Sequence, residues 1–252
     1  MIIDVPSRAQ IPALRNLWRE AFGDGEEFLD IFWRTAFSFD RCRCVTLEGD
    51  VAGALYWFDC ECRVERVAYI SAVATARSHR GQGICRRLME DVHGHLEKLG
   101  YVGAVLVPGS AELFEFYRKL GYEVCSSIDE VACTSSEEAV ELRRVGVDEY
   151  ARLRRKLLPL GGVVQEGENL SFLNEQTELY AGEGFLLAAR RTGEKLNGIE
   201  LLGDADRASA IVSALGCAEG SFRVPGGDKP FAMYFSLDGK SYAPEYFGLA
   251  FD

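Results

Sequence analysis

One loop, Arg80-Gly81-Gln82-Gly83, constrains the fold of this chain more than any other segment. It follows the segment from Val64 to Thr75, whose small and β-branched residues predict a central strand that is apolar on both faces. It precedes a stripe at helical spacing that predicts a long amphipathic helix: Ile84, Leu88, Val92, Leu96 and Leu99. A buried strand that turns through glycines into a helix is typical of an α/β fold.

Elements on both sides of this unit continue the same alternation. Upstream, the apolar pattern predicts helices over 9–22 and 26–37 and strands over 43–48 and 51–60. Downstream, it predicts a strand from Val102 to Val107, a short helix from Ser110 to Gly121 and a strand from Tyr122 to Cys133. The alternation of strands and helices therefore predicts an α/β (α+β) protein.

Residues 134–140 are polar and indicate a linker, so we expect two domains, 1–136 and 137–252. The second domain has shorter elements and is expected to be a smaller α+β unit. Its predicted elements are a helix near 147–158, a strand at 185–190, a helix at 205–215 and strands near 221–224 and 231–236.

The charge balance argues against two kinds of binding partner. Lys and Arg number 28 and Asp and Glu number 39, which gives a formal net charge of −11. Binding to nucleic acid or to an anionic membrane requires a basic surface, so we expect neither partner. The first residues carry no basic segment followed by an apolar run, and no run of eighteen apolar residues occurs. We therefore expect a cytoplasmic protein.

The eight cysteines are expected to be reduced thiols. Two pairs, Cys42/Cys44 and Cys60/Cys62, have the spacing that puts both thiols of a pair on one face of a strand. Four thiolates can hold zinc where two such faces meet. A turn at Gly49-Asp50, however, would pair Cys44 with a residue near Leu55 and leave the second pair beyond it. We expect small buried side chains and no metal.

The glycine loop has the features of an anion site. Glycines allow close approach to the backbone and point several N–H groups into one concavity, and the helix dipole adds positive potential. The loop is surrounded by basic residues in an acidic chain: Arg77, Arg80, Arg86 and Arg87. It is not a P-loop, and the third glycine of a dinucleotide fingerprint is replaced by arginine. A tight turn with solvated arginines is the alternative interpretation.

Three segments together resemble the GNAT superfamily of N-acetyltransferases over roughly residues 1–133. The first is Ser71-Ala72-Val73-Ala74-Thr75, and the second is Arg80-Gly81-Gln82-Gly83. The third runs from Leu113 to Tyr122, with Phe116-Tyr117 and Leu120-Gly121-Tyr122 at its end. They occur in the family's order and spacing. Ser78 stands where the family often has Gln or Arg, but the backbone cradle does not need that side chain.

The resemblance implies a GNAT-like N-terminal domain with a mixed central sheet flanked by helices. The resemblance also implies that this domain uses acetyl-coenzyme A as cosubstrate and transfers the acetyl group to an amine of a small molecule or peptide. It implies that the coenzyme contacts Val73, Ala74, Thr75, Arg80, Gly81, Gln82, Gly83, Ile84 and Cys85. It also implies that Tyr117 protonates the departing thiolate; simple packing beside Phe116 is the alternative role. A catalytically silent coenzyme A-binding module and the transfer of longer acyl groups are rival functions.

The sequence offers several candidates for the general base that would accept the proton of the amine. Glu65 lies near the position of a strand glutamate in some relatives, and Glu61 and Asp59 are weaker candidates. The chain ends in an apolar segment followed by Asp252. By resemblance to the enhanced-intracellular-survival acetyltransferases, Asp252 could serve as base or amine anchor; an edge strand is the alternative for this segment. An amine can also lose its proton through a water chain.

The second half is a candidate for a degenerate repeat of the first. Val107-Pro108-Gly109 and Val224-Pro225-Gly226 lie 117 residues apart (225 − 108 = 117). The same shift places Phe114 on Phe231, Tyr117 on Tyr234 and Leu120 on Leu237. Short matches of this kind also arise by chance. Asp204 and Asp206 at the start of the predicted helix 205–215 would repel a pyrophosphate, so we expect no coenzyme there. The apolar end segment could pair two copies, which makes a homo-oligomer an open expectation.

Overall fold

Helices and strands alternate along the chain much as the apolar periodicity predicts. The computed structural model describes residues 1–251. The helices are Ile11–Phe22 (α1), Glu26–Thr35 (α2), Ile84–Lys98 (α3), Ala111–Arg118 (α4), Val147–Leu157 (α5), Glu168–Asn174 (α6) and Ala208–Ala214 (α7). The strands are Ile2–Asp4 (β1), Cys42–Leu47 (β2), Asp50–Cys62 (β3), Glu65–Thr75 (β4), Gly103–Leu106 (β5), Glu123–Thr134 (β6), Leu142–Arg144 (β7), Val164–Gln165 (β8), Glu178–Gly182 (β9), Phe185–Thr192 (β10), Lys195–Gly203 (β11), Glu219–Pro225 (β12) and Lys229–Ser236 (β13).

All of these strands belong to one sheet. Its mixed pairing and its flanking helices confirm the expected fold class. The order across the sheet is β1-β2-β3-β4-β5-β13-β6-β12-β11-β10-β9-β7, and β8 adds to β3. Within residues 1–251, β4 with β5 and β11 with β12 are the parallel pairs; the other neighbours are antiparallel. Each parallel pair is joined by a helix, α3 or α7, as a parallel crossover requires.

The two halves of the chain are joined through an exchanged strand. Strand β13 comes from the second half but lies between β5 and β6 of the first. Met233 is paired with Leu106 on one side and with Val124 on the other. Strand β6 in turn pairs with β12 through its C-terminal half, from Ile128 to Thr134. The sheet therefore continues across the boundary that the polar segment 134–140 suggests.

The second half repeats the order of the first. A three-stranded antiparallel unit (β2-β3-β4 or β9-β10-β11) is followed by a helix, a parallel strand and an antiparallel strand. The shift of 117 residues moves β5 onto residues 220–223, inside β12. The shift does not hold further along the chain: Phe114 and Tyr117 lie in helix α4, whereas Phe231 and Tyr234 lie in strand β13. No helix occupies the short connection 226–228, so the proposed match of these aromatic residues is wrong.

The core consists of layers on the two faces of the sheet. Helices α1, α2, α5 and α6 and the segment 246–250 pack on one face, which is continuous across both halves. On the opposite face, α3 and α4 cover the first half and α7 covers the second. His93 of α3 is half-buried between the helix and the sheet: its ring stacks on Phe235 at 4.1 Å between centroids, and burial lowers its pKa to about 4. No helix in residues 1–251 combines the length and apolarity needed to cross a membrane.

A buried ion pair fixes the second half beneath its helices. The Arg154 guanidinium donates from Nε and Nη2 to the two oxygens of Glu200, at 2.7 and 2.8 Å, and both side chains are at most 2% exposed. Arg154 also donates to the Val163 carbonyl. The hydroxyl of Tyr246 donates to Glu200 at 3.1 Å. The network satisfies the buried charges and attaches the end segment of the chain to α5 and β11.

Removal of the Glu200 carboxylate should destabilise the protein strongly. Glu200→Ala leaves the Arg154 charge buried without its partner, so we expect the free energy of unfolding to fall by about 3–5 kcal/mol. Urea denaturation followed by circular dichroism measures this change. Glu149→Ala is the matched control, because Glu149 makes its ion pairs with Arg143 and Arg152 at the surface. Equal midpoints for the two variants would contradict the role of the buried pair.

Candidate active site

Strands β4 and β5 diverge halfway along their length and leave a gap in the sheet. In the described chain their pairing covers Val67–Tyr69 against Gly103–Val105. Beyond this, a β-bulge distorts β4: Ala54 of β3 pairs with Ala74, whereas Tyr56 pairs with Ser71. Ala72 within the bulge has φ +49°, an unusual conformation for a residue with a side chain. The main chain of residues 70–73 therefore faces the gap.

The glycine loop lies at the surface just beyond this strand. Gly81 and Gly83 have φ of +77° and +74°, and a Cβ built on either would meet nothing within 4 Å. Gly83 precedes the first turn of α3, whose leading N–H groups have no partner within the helix. The guanidinium of Arg80 donates to the Thr75 carbonyl at 3.1 Å and so holds the loop to the end of β4.

The side chains around the loop leave positive charge available to an anion. Arg77, Arg80, Arg86 and Arg87 are all exposed, and among the described residues none of the four guanidinium groups forms an ion pair with a carboxylate. The Thr75 hydroxyl is buried without a hydrogen-bond partner in the described part of the chain. An anionic ligand with a polar arm along β4 would use both features.

The remaining residues predicted to contact the coenzyme have other surroundings. Ala74 is buried and paired with Ala54, and Val73 lines the gap. Ile84 is buried in the core under α3, so its main chain alone faces the loop. The Gln82 amide donates to the Ser78 carbonyl. Burial raises the pKa of the Cys85 thiol to about 11, which keeps it protonated and unreactive at neutral pH.

A cavity of about 1130 Å³ passes through the gap. Its walls on the α3–α4 side include Leu106, Pro108 and Tyr117. Its walls on the other face of the sheet include Trp18 and Phe172. A ligand in the gap would therefore reach both faces of the sheet, one beside Tyr117 of α4 and one beneath α1 and α2.

Tyr117 of α4 lines this cavity, as a proton donor at the reaction centre would. Its ring packs against Phe116 and Tyr122, with centroids 5.2 and 5.7 Å apart. Burial, with a smaller contribution from the Cys85 thiol, raises the pKa of Tyr117 well above its usual value of 10. The phenol is therefore protonated across the neutral range and can act as a proton donor. Packing and proton donation are compatible for this side chain.

The predicted strand carboxylates lie away from the cavity. Glu65 is exposed at the opposite end of β4 from Val73, beside the turn that joins β3 to β4. Asp59 accepts hydrogen bonds from Arg66 and Tyr101, and Glu61 pairs with Arg155. In residues 1–251 the carboxylates that line the cavity are Asp24 and Glu130, neither of which is among the predicted site residues.

Both lining carboxylates already have partners. Asp24 accepts a hydrogen bond from the Trp18 indole at 2.7 Å, and Glu130 is paired with Lys229 at 2.6 Å. A Gly23-Asp24 turn after an amphipathic helix is the one sequence signal for Asp24. Nothing in the local pattern of β6 distinguishes Glu130 from an ordinary exposed strand residue.

The apolar end segment is docked, and it does not form an edge strand. Tyr246, Phe247, Leu249 and Ala250 are buried. Gln165 donates to the Leu249 carbonyl at 2.6 Å, and the buried Ser126 hydroxyl accepts the Phe247 N–H at 3.0 Å. Phe251 lines the cavity, and its N–H donates to the Tyr69 hydroxyl at 3.3 Å. Asp252 lies outside the described residues.

In the second half, the space where β11 and β12 separate corresponds to the gap between β4 and β5. It is filled by residues of the chain itself. β11 and β12 pair over Lys195–Gly198 and Glu219–Phe222 and then separate. Tyr246 reaches Glu200 there, and a Cβ on Gly248 would fall 2.0 Å from a Glu200 oxygen. Asp204 accepts a hydrogen bond from the Asp206 N–H and receives one from Arg207, so carboxylate occupies this helix start as the sequence predicts.

The four cysteines of the two Cys-x-Cys pairs are free thiols buried in the hydrophobic core. Cys42, Cys44, Cys60 and Cys62 are all in the core layer that contains α1 and α2. Cys44 pairs with Ala54, one residue from the position that the predicted turn gives. Burial raises the pKa of the Cys42 and Cys44 thiols. Residues 1–251 contain no group of three or more His, Cys, Asp or Glu side chains arranged to hold a metal ion.

Comparison with known proteins supports this interpretation of the fold. Residues 3–125 match the sequence model of the acetyltransferase (GNAT) domain. No curated protein sequence matches the chain significantly. Solved structures with the same fold include a GCN5-related N-acetyltransferase from Kribbella flavida, with 19% identity and a TM-score of 0.75 over 94% of this chain and 71% of that one.

Two further structures are similar over nearly the whole chain. A GCN5-related N-acetyltransferase from Anabaena variabilis has 17% identity and a TM-score of 0.71 over 94% of this chain and 72% of that one. Eis1 from Mycobacterium abscessus has 12% identity and a TM-score of 0.70 over 95% of this chain and 75% of that one. At such identities the likeness concerns the fold. The sequence match identifies residues 3–125 as a domain of the GNAT acetyltransferase family.

Proposed function

We propose that this protein transfers an acetyl group from acetyl-coenzyme A to an amine. The observation that carries the proposal is a single cavity that brings the open edge of β4 together with the buried phenol of Tyr117. When bound, acetyl-coenzyme A supplies an activated acetyl thioester. The loop at Gly81 and Gly83 offers space, N–H groups and exposed arginines suited to its pyrophosphate.

Residues 70–75 of β4 have a role separate from that of the glycine loop in this proposal. The main chain of residues 70–73, which has no pairing with β5, and the orphaned Thr75 hydroxyl suit the polar pantetheine arm. An N–H of this segment would stabilise negative charge on the acetyl oxygen in the transition state. Tyr117 would donate its phenolic proton to the sulfur as the carbon–sulfur bond breaks.

The amine must lose a proton before or during its attack. We propose the side-chain carboxylate of Asp252 for this role, because it follows Phe251, which lines the cavity. Glu65 is the less suitable candidate, since it lies at the far end of β4. Release of the proton through a water chain is the alternative route.

A coenzyme A-binding module without catalysis is the second candidate function. It is favoured by one observation: both described carboxylates in the cavity are already engaged, Asp24 by Trp18 and Glu130 by Lys229. Coenzyme binding without turnover for any amine would support it. A cytoplasmic location, the absence of nucleic-acid and membrane partners, and self-association stay predictions.

Gly83→Ala should weaken acetyl-coenzyme A binding at least tenfold. The added methyl group would point into the open space before the loop, where the pyrophosphate must approach. The left-handed backbone should also cost about 1–2 kcal/mol of stability. Gly216→Ala is a matched control, with φ +67° and the same open surroundings in the second half. Isothermal titration should give a weakened affinity for Gly83→Ala alone; equal affinities would contradict the loop assignment.

Tyr117→Phe should lower kcat by roughly 10²-fold, the effect of losing a general acid, and leave the affinity for acetyl-coenzyme A unchanged. Because the pKa of Tyr117 is raised, the phenol keeps its proton as the pH increases. The wild-type rate should therefore show no decline from this group below about pH 10. The rate of coenzyme A thiol release across pH 6–9 measures kcat and its dependence on pH. Wild-type turnover in Tyr117→Phe would contradict the acid role, and Tyr242→Phe, at an exposed tyrosine, is the control.

Asp252→Asn and Glu65→Gln separate the two candidate bases. Both substitutions replace a carboxylate by its amide and preserve size. We expect Asp252→Asn to lower kcat at neutral pH by at least tenfold, because an amide does not accept the proton. Glu65→Gln should leave the rate unchanged. The reverse result would move the base to β4, and two unchanged rates would favour the water chain.

A further inference from the structure

The half of the cavity beneath α1 and α2 is walled by aromatic rings. We call this half the aromatic lobe; it is formed by Trp18, Phe22, Phe28, Phe172, Phe231 and Phe251. It lies across the β4–β5 gap from Tyr117. If the coenzyme enters from the side of α3, as the proposed function requires, this lobe is where the acceptor must lie.

Five of the six rings of the aromatic lobe, all except Phe231, form a continuous series of contacts. Phe22 meets Trp18 at 5.7 Å between centroids, and Trp18 meets Phe28 at 6.0 Å. Phe28 meets Phe172 at 5.5 Å, and Phe172 meets Phe251 at 5.1 Å. Edge-to-face and tilted pairs of this kind hold each ring in place. The wall is therefore a preformed apolar surface.

Part of this surface is not covered by the protein. Phe22 is 46% exposed, and Phe28 and Phe251 are half-buried. Aromatic surface left open in a concave site is stabilised by an apolar ligand that removes it from water. A flat ring can also stack on or meet the edge of these side chains, which a flexible polar chain does not do.

The charges around the aromatic lobe disfavour an acceptor with several positive charges. The lining carboxylates of residues 1–251, Asp24 and Glu130, are each bound to a partner. Arg190 adds a positive charge at the rim, and its Nε is directed to the Gln176 carbonyl. A polyamine would have to break one of these contacts or lie beside a guanidinium, whereas a monoamine carries a single charge, which it loses on reaction.

We propose that the acceptor is a primary monoamine carried on an aromatic body. The inference rests on the proposed acetyl transfer. The amine nitrogen attacks the thioester carbon, a carbon–nitrogen bond forms, the carbon–sulfur bond breaks, and the amine's surplus proton leaves as the sulfur is protonated. The products are an aryl-substituted acetamide and free coenzyme A.

The test compares three amines with the full chain at saturating acetyl-coenzyme A: phenethylamine, ethylamine and spermidine. Thiol release gives the rate, and mass spectrometry identifies the acetylated product. We expect kcat/KM for phenethylamine to exceed that for each of the other two at least tenfold. Equal or faster reaction of spermidine or ethylamine would overturn the aromatic assignment and leave acetyl transfer standing. Coenzyme binding with no reaction of any amine would overturn the proposed function as well.

Two substitutions locate the preference in the aromatic lobe. Phe28→Ala should lower kcat/KM for phenethylamine at least tenfold and change the value for ethylamine less than twofold, with the affinity for acetyl-coenzyme A unchanged. Phe22→Ala, at a more exposed ring, should act in the same direction and does not threaten folding. Phe39→Ala is the matched control, since Phe39 is half-buried against Phe37 outside the cavity. Equal loss for both amines in Phe28→Ala and Phe22→Ala would contradict the proposal.

Discussion

The pairing of β13 with both β5 and β6 is the constraint on which the rest of the structure depends. It gives β5 an antiparallel partner on one side, so β5 can separate from β4 on the other and still belong to a sheet. That separation creates the cavity. The same pairing brings Phe231 and Lys229 of the second half to the cavity wall. One exchanged strand therefore accounts for both the opening in the sheet and the participation of the second half in the site.

The local elements of the first half could be predicted because their signals are local. The apolar stripe from Ile84 to Leu96 and the glycines at 81 and 83 specify α3 and its loop within about fifteen residues. Several elements of the second half are not predicted, because they lack such local signals. Strand β11 contains Asn197-Gly198, a pair typical of turns, and its identity as a strand comes from pairing with β10 and β12. Helix α6 and strands β7, β8 and β9 are too short for a periodic signal.

The candidate site was predictable only where its residues belong to such local patterns. The loop and Tyr117 are of this kind. Glu65 shows the limit: it is on the same strand as Val73, which suggests a role, but an eleven-residue strand separates its two ends widely. Asp24, Glu130 and the aromatic lobe come together from α1, α2 and the turn between them, α6, β6, β13 and the end segment. No spacing along the chain connects these elements, because their proximity is a property of the exchanged sheet.

The exchange also has a consequence for the order in which the protein can form during synthesis. Residues 1–125 contain the glycine loop, β4 and α4, yet β5 has an unpaired edge until the ribosome has passed Ser236. Strand β5, Gly103–Leu106, is fully apolar, and its unpaired edge is a site for pairing with other chains. The nascent first half must therefore remain open along the future cavity while more than a hundred further residues are made. The aromatic lobe is the last part of the cavity to be assembled, well after the glycine loop has its structure.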